Sequence, residues 1–144
     1  MDELYRRSER RHEAGVFLLG RVRGKRREVI DAVYYDELDP RAYATGVCVL
    51  HAAAFAKLWA ICRERGLTVV GDIHTHGPDV GQSESDRTNP MVAVSGHIAI
   101  IVPNLAAPPV SPGAIGIYEY QGNHRWLDCS PRRRGGYLYL GPWS

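Results

Sequence analysis

No apolar run in this 144-residue chain approaches the ~20 residues that a membrane-spanning helix needs, so the sequence implies a soluble protein with no membrane partner. Cysteine is scarce: Cys48, Cys62 and Cys129 are odd in number, widely spaced and form no C-x-x-C pair. That pattern suits a reducing compartment better than a disulfide framework, and the three read as small buried hydrophobes. The first eleven residues are charged and lack the apolar stretch of a secretion signal, so the expected location is cytoplasmic. Net charge is small, at +2. The positive charge is mostly arginine, in local runs at 6–11, 21–27 and 132–134, which read as solvated surface or, second, as docking points for an acidic protein partner; no nucleic acid is implied. No internal repeat is present, and the length excludes two ordinary domains. With 44% hydrophobic and 24% charged residues, what remains is one globular domain over 1–144.

What is present reads as a mixture of strands and helices. After the charged extension at 1–11, Gly15 to Gly20 predicts a short buried strand and Arg27 to Tyr35 a second, with Gly24-Lys25 as the hairpin turn between them. A connection over 36–42 leads to a possible strand at Val47 to Leu50. From Ala52 to Arg65, the spacing of Phe55, Leu58, Trp59 and Cys62 predicts a helix that Gly66 ends. Leu67 to His74 predicts a central strand, His97 to Val102 and Ala114 to Tyr120 two more, and the proline-rich stretch from Pro103 to Pro112 a surface loop. Asn123 to Leu127 and Tyr137 to Leu140 read as edge strands in a C-terminal tail over 121–144.

The chemistry is concentrated between His74 and Asp86. On a strand, His74 and His76 turn to the same face, so both rings can reach one ion. Asp86 would supply a third, oxygen ligand. Three protein ligands leave a tetrahedral Zn²⁺ one open position for a water whose pKa falls toward ~7, which points to a hydrolase. Ser83 lies one helical turn before Asp86 and can share its face, either as an N-cap or as a hydrogen-bond donor. Asp72 is placed to orient a ligand histidine. Asp79 reads as a solvated turn residue, and His12, His51, His97 and His124 as structural. Arg87 and Asn89, beside Asp86, suit either substrate contact or plain surface.

Together, Glu13 followed by Ala-Gly-Val-Phe-Leu-Leu-Gly20, Gly71-Asp-Ile-His74-Thr-His76 and Ser83-Glu-Ser-Asp86 resemble the JAMM (MPN+, JAB-like) zinc metalloprotease signature of an upstream glutamate, H-x-H and S-x-x-D. The resemblance covers roughly residues 10 to 120. It implies a single α/β domain of the MPN/JAB, cytidine-deaminase-like kind: a mixed curved sheet, one main helix, and a short helix after the metal-binding loop. It further implies one zinc ion per chain on His74, His76 and Asp86, Glu13 as general acid/base, and Ser83 as donor to the carbonyl oxygen. The substrate would be the C-terminal tail of a ubiquitin-like modifier or sulfur-carrier protein, cut at a peptide or isopeptide bond, with activating or conjugating enzymes of the same system as further partners. The spacer between His76 and Ser83 has six residues where the commonest form has seven, and the proline after the second histidine is displaced to Pro78; this shorter form looks like the bacterial branch. Two other readings stand beside this one. A non-catalytic MPN scaffold generally lacks the ligands that are all present here. A phosphoesterase with a D-x-H-x-H opening, which Asp72 to His76 resembles, needs a barrel-sized chain.

Overall fold

The computed structural model describes residues 1–131 and Tyr137. One six-stranded mixed sheet organises it, built from β1 (Gly15–Arg23), β2 (Arg26–Tyr34), β3 (Thr68–Thr75), β4 (Ile98–Val102), β5 (Gly116–Gly122) and β6 (Arg125–Asp128) in the order β2-β1-β3-β4-β5-β6. Among the described residues, only β3 and β4 pair in parallel. Helices α1 (Asp2–Arg7), α2 (Tyr35–Leu38), α3 (Ala52–Arg65) and α4 (Glu84–Thr88) complete the regular structure with two 3₁₀ turns, Asn104–Ala106 and Pro112–Ala114. No helix among the described residues is long and apolar enough to cross a membrane.

Alternation along the strands divides the core into two layers. Phe17, Leu19 and Val33 face α3, which presents Ala54, Leu58 and Cys62 at four-residue intervals. Val16, Ile98, Ile100, Val102 and Ile117 fill the opposite side, where Leu4 of α1 also packs. The helix stops at Gly66, which takes the left-handed conformation (φ 61°) that side chains resist.

Several expectations need correction. Val47 to Leu50 is not a strand, because its backbone is used elsewhere: Cys48 N–H bonds the Glu13 carboxylate and Val49 N–H bonds the Ala42 carbonyl. Trp59 is 39% exposed, so the buried stripe of α3 is narrower than the apolar spacing suggested. Within the charged extension, residues 2–7 form a docked helix in which Arg7 pairs with Glu3, Asp36 and Glu37 and lies 4.0 Å over the Tyr34 ring, whereas Arg6, Arg10 and Arg11 are exposed as expected. The loop at 103–112 buries Ala106. All three cysteines are thiols; Cys62 and Cys129 are buried, and Cys48 is half-buried. The run at 132–134 and the strand expected at Tyr137 to Leu140, apart from Tyr137 itself, lie outside the described residues.

Gly20 fixes the bend of β1. The β1–β2 register slips between Leu19 and Gly20, and a Cβ added at Gly20 would stand 1.8 Å from the Glu28 carbonyl oxygen. Backbone cannot swing aside as a side chain can. Gly20→Ala is therefore expected to cost about 3 kcal/mol or more, lowering the melting temperature by roughly 10 °C, measurable by differential scanning calorimetry.

Candidate metal centre

The β1–β3 register assembles the site. Antiparallel pairing sets Gly15 opposite His74 and Phe17 opposite Asp72, so continuing the register brings Glu13 to His76 across the sheet. Thr75 locks this end: its N–H donates to the Ala14 carbonyl, and its hydroxyl oxygen accepts from Ala14 N–H, each at 2.9 Å. Gly15 leaves room for the Tyr35 ring, whose atoms come within 2.2 Å of where a Cβ would sit. The loop from Gly77 to Gln82 is pinned by Asn104 N–H on the Gly77 carbonyl and by the Tyr118 hydroxyl on the Val80 carbonyl.

That loop delivers α4. Ser83 is its N-cap: the serine Oγ accepts from Asp86 N–H at 3.1 Å, and Ser83 N–H and Oγ–H both donate to Asp86 Oδ2 at 2.7 Å. The carboxylate held in this way points at the histidine pair. Asp86 Oδ1 lies 3.4 Å from His74 Nε2, Asp86 Oδ2 lies 3.3 Å from His76 Nε2, and the two Nε2 atoms are 3.1 Å apart.

These three separations test whether a zinc ion fits. Tetrahedral bonds of 2.0–2.1 Å place ligand atoms about 3.3 Å from one another. The two Nε2 atoms are within a few tenths of an ångström of that length, and each has one oxygen of Asp86 at a similar distance, Oδ1 for His74 and Oδ2 for His76. Two imidazoles and one carboxylate also form a donor set suited to zinc, and they form the one group of three or more potential ligands among the described residues.

Charge points the same way. Burial alone would strip the proton from His74, but hydrogen bonds and attraction from Asp72 and Asp86 outweigh it and raise the imidazole to about 10. Burial likewise disfavours the charged Asp86, yet His74, His76 and Ser83 hold it far below the usual carboxylate range. Asp72, fully buried, is kept ionised by His74 and His97, down to about 2. Burial, reinforced by Glu13, Asp72 and Asp86, pushes the Cys48 thiol up. The pocket therefore favours positive charge, which a proton or a divalent cation can supply.

Glu13 stands at the rim. Its Oε2 accepts from Cys48 N–H at 3.2 Å, and its Oε1 is 4.0 Å from His76 Nε2. Of the expected site residues, His74, His76, Asp86 and Glu13 thus converge. Ser83 is adjacent with its hydroxyl bonded to Asp86. Arg87 and Asn89 are exposed on or beside α4. Sequence reading passed over Thr75, the Cys48 backbone and Tyr35, and gave His97 only a structural role; of these only His97 carried a signal, as a histidine at the head of a buried strand.

No protein-family model matches the chain. Among solved structures, it is similar to protein DSY2949 from Desulfitobacterium hafniense, with a TM-score of 0.61 at 18% identity over 90% of this chain and 85% of that one. It is also similar to a protein from Salinibacter ruber, with a TM-score of 0.55 at 22% identity over 88% and 82% of the two chains. At such identities the likeness extends to the mixed α/β fold alone.

Proposed function

We propose that the chain is a zinc-dependent peptidase or isopeptidase of the JAMM type, with an MPN/JAB-like fold, that hydrolyses the C-terminal tail of a ubiquitin-like modifier or sulfur-carrier protein. The observation that carries this reading is the convergence of His74, His76 and Asp86 at zinc-ligand spacing with a fourth, non-ligand carboxylate, Glu13, beside them. A zinc ion held there supplies Lewis acidity, polarising a carbonyl and making water acidic near neutral pH.

The chain's own residues account for the rest. Cys48 N–H fixes one oxygen of Glu13 and leaves the other turned toward the ligands, where it takes a proton from the attacking water and returns it to the leaving amine. Ser83 anchors Asp86, and its hydroxyl reaches a substrate carbonyl only by leaving Asp86 Oδ2. Ser83→Ala is expected to lose about 1 kcal/mol of stability with the cap and to bind zinc roughly tenfold more weakly. Turnover at saturating zinc then separates the two roles: a deficit that excess zinc does not restore assigns Ser83 the carbonyl contact.

The decisive experiment is incubation with modifier-tail fusions, with and without chelator, read by intact mass. Chelator-sensitive scission within the tail is the expected result. A folded, zinc-free protein that cuts nothing favours the non-catalytic scaffold, and phosphoester hydrolysis without tail cleavage favours the phosphoesterase.

A further inference from the structure

β3 buries a carboxylate in its middle. Asp72 is 1% exposed and sits opposite Phe17 on β1 and Ala99 on β4, on the sheet face that α3 covers. Removing a carboxylate from water costs several kcal/mol, and replacing a buried ion pair with apolar side chains is often neutral or stabilising. Stability alone gives no reason for an acid here.

Its partners give one. Asp72 Oδ1 accepts from His97 Nε2 at 2.6 Å, while Oδ2 accepts from the Tyr35 hydroxyl at 3.1 Å and faces His74 Nδ1 at 3.4 Å. Register explains the meeting: Asp72 pairs with Ala99, so His97, two residues earlier, lies one pleat behind on the same face. His97 is itself fixed, its N–H on the Val94 carbonyl and its carbonyl on Tyr120 N–H. A carboxylate beside Nδ1 keeps the proton on that nitrogen and leaves the Nε2 lone pair of His74 facing His76 and Asp86.

We propose that His97, acting through Asp72, is a positioning residue that fixes the tautomer and ring orientation of His74 for zinc. This rests on the metal reading above and deepens it, because it extends the site across the sheet to a residue that faces neither substrate nor ion. Tyr35 shares the load by holding the second oxygen of Asp72.

The test is zinc affinity by competition with a chromogenic chelator, on the full chain, for the parent, Asp72→Asn, His97→Phe and His97→Gln. Thermal unfolding of each metal-free protein is recorded alongside. Asp72→Asn and His97→Phe should bind zinc about 10–100-fold more weakly. His97→Gln, whose amide still donates to Asp72, should return to within about threefold of the parent. Lower melting temperatures with unchanged zinc affinity would reduce the pair to core structure and overturn the proposal. Independently of any variant folding, ¹⁵N histidine NMR of the zinc-loaded parent should show His74 protonated at Nδ1; protonation at Nε2 overturns it as well. A parent chain that takes up no zinc overturns the metal reading itself, and this inference with it.

Discussion

Glu13→Gln will load zinc as the parent chain does and hydrolyse a modifier-tail fusion about 10²–10⁴-fold more slowly, the usual contribution of a positioned acid/base. The substitution is chosen for what it preserves. Glutamine has the same shape, and its side-chain oxygen can still accept from Cys48 N–H, so the loop at 45–50 keeps its anchor. Glu13 is outside the ligand triangle, 4.0 Å from His76 Nε2, so zinc content should not change. Proton transfer alone is removed. Metal analysis together with time-resolved intact mass checks both halves of the expectation. Near-parental cleavage by the variant would take the acid/base role away from Glu13, whatever the metal content.

Asp86→Ala should have the largest effect on metal. It removes the only oxygen donor of the triangle and a charge that attracts the ion, leaving two imidazoles. The loss of zinc affinity should exceed the about 10–100-fold typical of losing a group that merely orients a ligand, and tail cleavage should fall below detection. The fold should survive. Asp86 lies on a five-residue helix that contributes no buried residue, so the two core layers remain intact and the far-ultraviolet circular dichroism spectrum should be nearly unchanged. Stoichiometric zinc at parental affinity in this variant would mean that the ion is held elsewhere.

The proposed ligand set was readable from sequence because it depends on two short-range periods. His74 and His76 share a face by strand alternation, and Ser83 and Asp86 by a single helical turn. Helix α3 was readable for the same reason, with Gly66 marking its end. Glu13 required the family resemblance, since nothing local ties it to a residue 63 positions later; the antiparallel register that does so is a long-range property. His97 shows the limit from the other side. Its lack of neighbours at ligand spacing argued for a structural role, and its bond to Asp72 crosses between parallel strands, a pairing no single-segment pattern encodes. The stretch from Val47 to Leu50 had strand composition, but its backbone is bonded to Glu13 and Ala42.

The reciprocal bonds between Ala14 and Thr75 span 61 residues. A chain in which β1 has not yet met β3 carries histidines without the proposed proton carrier, and such non-local pairings form late because their loop entropy must be overcome first. On the proposed activity, hydrolytic competence would therefore arrive in one step with tertiary structure. A half-folded copy would be inert toward the proteins around it, and heat or denaturant that opened this seam would extinguish cleavage.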